Sequence, residues 1–384
     1  MSKENLNNLG LYIHIPFCER KCRYCDFLSF TKCTQDETEE YVKALLNEIK
    51  CKGNEYNNSL IDSIFIGGGT PSLIQKEFIG DVLNTIYNEF KVSENAEISI
   101  EANPGTLSMD KLLKYKQYGI NRLSLGVQSF DDDDLRFLGR IHSGNDAMTA
   151  FYMAREAGFD NINIDLMFAF PKHNEKKWSY NLEKIGDLSP EHISFYSLQI
   201  EEGTPMYYDL RNGIVTQLSE ECDRKLYHIG VNKLKELGYI HYEISNGAKP
   251  GFQCRHNLKY WDFQEYLGLG LGAHSFSKGT RFANTENIRE YIESSGNSLS
   301  YKHNNSQRDS VFEYVFTALR KTDGIDFSDF KETFEHDFWY YYDDIKDKIL
   351  QYEKKGKIVL TKAGISLTIE GMDISNAIMS EFAL

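Results

Sequence analysis

The feature that most constrains this chain is a rhythm. Between residue 11 and about residue 237, short β-branched runs alternate with longer stretches of helical periodicity. "LYIHIPF" (11–17) predicts a strand and "ETEEYVKALLNEIK" (37–50) an amphipathic helix. "SIFIGGG" (63–69), "EISIEAN" (97–103), "RLSLGVQSF" (122–130), "NINIDLMFAF" (161–170) and "HISFYSLQI" (192–200) follow, each trailed by a helical pattern. Strands and helices in strict alternation imply a parallel sheet whose right-handed crossovers place the helices outside it. Six such units fall short of a closed eight-stranded barrel. The expected fold is therefore α/β, a partial (βα)6 TIM-like barrel, with its active groups at the C-terminal ends of the strands.

After residue 237 the rhythm breaks. "SNGAKPGFQCRHNLKYWDFQEYLGLGLGAHSFSKGTRFAN" (245–284) is rich in glycine and aromatic residues, and it is neither a repeat nor low in complexity. Helical periodicity returns in "SQRDSVFEYVFTALRK" (306–321), and a β-like stretch around Ile358 to Ile369 precedes a last helix. These shifts divide the chain into a barrel core (1–237), a post-barrel segment (238–300) and a smaller helical, winged-helix-like C-terminal domain (301–384).

Three of the seven cysteines fall within eight residues in "HIPFCERKCRYCDF" (14–27), spaced C-x3-C-x2-C. Compartment decides what such a cluster means. The opening "MSKENLNNLG" lacks the apolar stretch and cleavage site of a signal peptide, and no window approaches the roughly 18 to 20 apolar residues of a membrane span. The expectation is a cytoplasmic protein with reduced thiols, in which clustered cysteines hold a metal or do chemistry. A net charge of −14 argues against bulk nucleic-acid binding and against adhesion to anionic membranes, and it favours a small-molecule partner. The oligomeric state stays open, a homodimer included.

Cys18, Cys22 and Cys25 lie just beyond the first predicted strand, where their sulfurs can meet one inorganic centre. A structural zinc takes four protein ligands, and His14 falls inside the strand pattern, pointing away from the loop. A [4Fe–4S] cluster is usually held by four cysteines, so three leave one iron open to another ligand. Three cysteines with a structural metal, or with none, are the alternative.

"GGGTPS" (67–72) closes the second strand, where a glycine run lets backbone approach a ligand or simply makes a tight turn. Glu101 in "IEANPG", Gln128 in "GVQSF", Arg140 in "LGRIHS" and Asp165 in "NIDLMF" are polar residues at or near strand ends. They suit a ligand with hydroxyl, amino and carboxylate groups, or they pair with one another between barrel layers. In "HNLKYW" (256–261), His256 is a metal ligand beside two aromatic faces, or a core imidazole bonded through both nitrogens. "GLGLG" (268–272) does not open a βαβ unit, which excludes a dinucleotide loop. His274 and Cys254 are secondary ligand candidates, while Cys33, Cys51 and Cys222 are too scattered to form a site.

C-x3-C-x2-C with an aromatic, Tyr24, before its last cysteine resembles the signature of the radical S-adenosylmethionine (SAM) superfamily. There the open iron binds the amino and carboxylate groups of SAM, whose C–S bond can be cleaved to a 5′-deoxyadenosyl radical. "YIHIPFC", "GGGTPS", "EANP", "GVQSF" and "NIDLMF" together resemble the oxygen-independent coproporphyrinogen III oxidase-like family, including its heme-chaperone branch of the HemW type. The resemblance implies that Tyr12, Gly68 and Glu101 contact SAM at the cluster, with Gly69 and Thr70 in the same loop. It implies a second SAM site from Tyr24, Gly69, Thr70, Gln128, Arg140 and Asp165. Two departures point to the chaperones: Phe27 stands where the dehydrogenases carry a further cysteine, and only 17 residues precede Cys18 in place of a long extension. "HNLKYW" matches the H-N-x-x-Y-W motif of that branch, which implies heme as a ligand, His256 as its iron ligand and an unidentified protein as the heme acceptor. The implied alternative is an oxidoreductase that decarboxylates coproporphyrinogen III.

Overall fold

Isoleucine and leucine at every second position of the predicted strands face the helices, and their partners on the opposite side turn inward. The computed structural model describes residues 7–383, so most of the N-terminal stretch read above lies outside the described residues. The six predicted strands form as β1 (Asn7–Ile15), β2 (Ser59–Gly68), β3 (Lys91–Ala102), β4 (Arg122–Gln128), β5 (Ile162–Phe168) and β6 (His192–Ser197). They pair in sequence order, all parallel. Ile13, Ile66, Ile100, Leu125, Ile164 and Ile193 are fully buried beneath the crossover helices. Each such burial contributes on the order of 1.5–3 kcal/mol, which commits the register of every strand.

The first crossover shows how local chemistry sets the ends. Helix α1 (Gln35–Glu55) starts at Thr34, whose side chain accepts the Glu37 N–H while the Glu37 carboxylate accepts the Thr34 N–H. This reciprocal cap satisfies two donors that a helix start leaves free. Helices α2 (Lys76–Glu89), α3 (Met109–Gln117), α4 (Asp132–Leu138), α5 (Gly144–Glu156), α6 (Glu175–Leu188) and α7 (Glu220–Glu236) complete the outer layer.

The glycine-rich stretch after the barrel is also sheet. β7 (Ile240–Glu243) and β8 (Asn246–Ala248) add antiparallel strands beyond β6. β9 (Tyr266–Leu269) returns to the other edge and pairs parallel with β1. β10 (His274–Ser277), β11 (Thr280–Asn284) and β12 (Leu299–Asn304) extend that edge, giving a single sheet of twelve strands. Periodicity does not reveal these strands because they are short and their glycines carry no side-chain pattern. Between β8 and β9 runs the short helix α8 (Arg255–Trp261). The C-terminal region is helical, led by α9 (Gln307–Ala318), with a small antiparallel sheet of β13 (Ile325–Asp326), β14 (Ile358–Leu360) and β15 (Gly364–Leu367).

Candidate functional site

The inward face of this partial barrel is polar where a closed barrel would pack branched aliphatics. Inward positions carry Glu97, Ser99 and Glu101 on β3, Arg122 and Ser124 on β4, Asn163 and Asp165 on β5, and His192 and Ser194 on β6. Direct bonds link these strands: Ser124 Oγ donates to Asp165 at 3.2 Å and Asn163 Nδ2 to both Ser124 and Asp165 at 2.7 Å. Above them, at the C-terminal ends of the strands, opens a cavity of about 1130 Å³. That exceeds the roughly 300–1,000 Å³ of ordinary small-molecule sites.

Cys18, Cys22 and Cys25 line this cavity together with Tyr24, Gly68, Gly69, Thr70, Glu101, Gln128, Arg140 and Asp165. The structure thus gathers eleven of the candidate residues around one space. Tyr12 is not among the lining residues; its hydroxyl is 3.0 Å from His14 Nδ1, and it feels the charge of Glu101.

The cysteine loop is fastened at both ends. Phe17–Cys18 pairs in parallel with Phe30–Thr31, and the other ring nitrogen of His14 reaches the Leu28 carbonyl at 3.0 Å. His14 therefore secures the exit of the loop, which corrects the expectation that it points away from it. In mid-loop, Arg23 donates to the Phe137 carbonyl at 3.0 Å, pairs with Asp209 and stacks its guanidinium over the Phe137 ring. Contacts to residues this distant in sequence hold the thiols over the barrel mouth.

Each sulfur meets a different environment. Thr70 Oγ1 donates to Cys18 at 3.5 Å and Arg140 Nη1 to Cys22 at 3.4 Å, while burial pushes the Cys25 thiol up to about 11. Among the described residues no three His, Cys, Asp or Glu side chains gather around a single metal ion. In a four-iron cluster each thiolate binds its own iron, so the ligands stand further apart, and three half-buried cysteines around one cavity fit that donor set.

The glycine loop is built for close approach. Gly68 has φ +114°, and a Cβ there would lie 2.6 Å from the His14 ring; one on Gly69 would lie 2.7 Å from the Phe17 carbonyl oxygen. Backbone N–H of Gly68 donates to Glu101 Oε2 at 3.1 Å. Burial, then the charge of Asp165, pushes the Glu101 carboxyl up to about 8, while the Gly68 N–H and Arg122 oppose the shift. Asp165 is also raised, again mainly by burial. Two adjacent carboxyls with raised affinity for protons are poised to receive a cationic group. Gln128 occupies the left-handed region at φ +67°, an uncommon state for a side-chain-bearing residue and one concentrated at functional sites. Arg140 Nη2 donates to the Gly126 carbonyl at 2.6 Å.

His256 is elsewhere. It does not line the cavity but packs beside Ser63, about 16 Å down β2 from Gly68 at 3.3 Å per residue. Its Nδ1 is 2.9 Å from Ser63 Oγ and its Nε2 2.8 Å from the Tyr260 hydroxyl, and the ring stacks on Phe65. Both nitrogens are engaged, and burial, aided by Lys259 and Arg122, depresses its basicity to about 3. The Glu97 carboxylate accepts the N–H groups of Arg255 and His256 at the start of α8, and Lys259 pairs with Asp62 at 2.8 Å. Cys254 is buried with its thiol raised to about 12, and His274 is exposed at the start of β10.

One wall of the cavity escaped the sequence reading. Tyr196 and Ser197 end β6, Asp223 and Arg224 start α7, and Arg320 with residues 372–377 comes from the C-terminal region. Strand-end position marks Tyr196, as it marks Glu101. For the C-terminal residues no local signal exists: Asp373 reaches the wall through His228, 2.9 Å away, and through Arg224 at 3.8 Å.

The Radical SAM superfamily model matches residues 12–185 and the HemN C-terminal domain model matches residues 305–374. The chain is 36% identical to the heme chaperone HemW of Bacillus subtilis over 376 residues, covering 97% of this chain and 98% of that one. Against HemW of Haemophilus influenzae it is 37% identical over 84% of this chain and 85% of the relative. Escherichia coli HemW is 36% identical over 81% and 82%. The solved structure of E. coli coproporphyrinogen III oxidase (HemN), a radical SAM enzyme, superposes with a TM-score of 0.85, covering 98% of this chain and 90% of that one at 23% identity. That likeness establishes the fold.

Proposed function

Because the chain belongs to the HemW family of heme chaperones within the radical SAM superfamily, we propose that it binds heme and passes it to an acceptor protein. The cavity at the strand ends then holds a [4Fe–4S] cluster and SAM. The observation that carries this reading is the gathering of three cysteines, the glycine loop and two raised carboxyls around one space. Cluster and SAM, when bound, supply one-electron chemistry.

The chain's own groups have distinct tasks. Cys18, Cys22 and Cys25 furnish thiolates, and the metal offsets the burial that raises the Cys25 thiol. Gly68 and Gly69 bring backbone close to the ligand, and Glu101 accepts its ammonium group. Tyr12 stays beside this contact through its bond to His14. Tyr24, Thr70, Gln128, Arg140 and Asp165 bind the remaining polar groups, and the cavity's size supports a second SAM. Phe27, 65% exposed, stands in place of a fourth cysteine and supports the chaperone reading.

His256 enters the proposal on the resemblance alone. For it to ligate heme iron, Ser63 or Tyr260 must release a ring nitrogen. The same proposal divides the chain into a radical SAM core (1–237), a post-barrel segment (238–300) and a C-terminal domain (301–384). A cytoplasmic location is supported by seven free cysteines. Among the described residues no helix is long and apolar enough to cross a membrane. Whether the protein works as monomer or homodimer is read directly by light scattering.

The test is an anaerobic heme titration of the reconstituted protein beside an assay for coproporphyrinogen III conversion. Heme binding without conversion is the expected result. Conversion without heme binding replaces the chaperone with the decarboxylating oxidoreductase.

A further inference from the structure

The HNLKYW helix meets a cavity-lining residue in Arg320. The Arg320 guanidinium lies 4.5 Å over the ring of Trp261, the last residue of α8, and Arg320 lines the cavity wall. Its Nε is buried and bonds to nothing, and among the described residues its side chain forms no hydrogen bond or ion pair. The other cations of the cavity are differently disposed. Lys21 donates to the Phe27 carbonyl, Arg140 to Gly126 and Cys22, and Arg224 pairs with Asp223 and Asp373. Arg20 is exposed at the mouth.

The nearby acids do not bond to the guanidinium. Glu243 feels the charge of Arg320, and one of its carboxylate oxygens accepts from Ser245 and Asn246 while the other is buried without a hydrogen-bond partner, yet it forms no ion pair with the guanidinium. Asp373 is held by His228. Phe195, Tyr227 and Met372 contribute apolar surface to the same cavity. A guanidinium held over an aromatic face is preorganised for a planar two-oxygen anion. Leaving it unpaired in a half-buried wall is costly unless a ligand completes it.

We infer that Arg320, positioned by Trp261, is a carboxylate-binding residue of the cavity, and that the carboxylate it takes is a propionate of bound heme. The inference rests on the heme reading above. It gives the HNLKYW segment a structural route to the ligand that needs no release of His256.

The experiment titrates heme and its dimethyl ester into the anaerobic, cluster-loaded wild-type protein and into Arg320→Gln, with SAM titrated in parallel. Wild type should prefer the free acid by about tenfold or more, the worth of one charge-assisted hydrogen bond. Arg320→Gln should bind both forms alike, with unchanged iron and sulfide content and unchanged SAM affinity. The wild-type comparison stands even if the variant folds poorly, and equal wild-type affinity for acid and ester overturns the inference. So does a wild-type preference that survives in Arg320→Gln, or a variant that loses SAM in place of heme, which would assign the guanidinium to the SAM carboxylate. If wild type binds neither porphyrin, the heme reading itself falls and this inference with it.

Discussion

The cysteine loop and the HNLKYW helix each combine potential metal ligands with aromatic residues, and the fold treats them in opposite ways. The loop holds its three thiols half-buried over a large cavity and is fastened through Arg23 and His14, while its sulfurs face the cavity with only long contacts from Thr70 to Cys18 and from Arg140 to Cys22. The helix turns its imidazole into the protein and satisfies both nitrogens. Availability, set by burial and hydrogen bonding, separates a ligand from a strut more sharply than residue type does.

The largest effect should break the first half of this comparison. Cys22→Ala should lose essentially all cluster iron and sulfide, since two thiolates and no fourth cysteine at the cavity cannot retain the group. Metal and sulfide analysis of anaerobically purified protein checks this; full retention would show that Cys22 is not a ligand.

Next comes the carboxylate that faces the glycine loop. Glu101→Gln should weaken SAM binding by about 10- to 100-fold, the range of one hydrogen bond between charged groups, at unchanged iron content. Isothermal titration of the loaded protein measures it. Unchanged affinity would return Glu101 to a purely structural role.

The helix should respond in stability. His256→Ala orphans the hydroxyls of Ser63 and Tyr260 and should cost about 2 kcal/mol or more by denaturant unfolding, with iron and sulfide retained. Loss of the cluster in this variant would erase the distinction between the two regions.

The smallest effect concerns acid. His256 titrates near 3 when folded and near 6.5 when unfolded, so the unfolded chain binds more protons between those values. Its contribution is full above pH 6.5 and is lost as pH falls, by roughly 1 to 2 kcal/mol between pH 6.5 and 5. Unfolding curves at the two pH values should therefore show a shallower decline for His256→Ala than for wild type. Buried His142 and His173, both depressed to about 4, keep some of the slope in place.

What the sequence made legible follows the same physics. Six strands and their C-terminal candidates were readable because period-two burial and strand-end position are local signals. The β9 strand beside β1 was hidden by its glycine-rich surroundings. Arg320 and Asp373 reach the cavity only through tertiary packing, which no local pattern encodes. His14 followed the strand alternation, but the chain beyond the cysteines folds back over it to meet its ring. His256 was open to two readings because a motif names residue types, whereas engagement of both nitrogens depends on Ser63, 193 residues away.

The central claim is that three cysteines hold a cluster with an open iron facing the SAM pocket. The most direct measurement is electron paramagnetic resonance of the reduced, reconstituted protein before and after adding SAM. The account predicts a reduced [4Fe–4S] signal whose g-values shift on SAM addition, and a shift that is diminished in Glu101→Gln at the same subsaturating concentration. A signal unmoved by saturating SAM, or stoichiometric zinc with no sulfide, would contradict it.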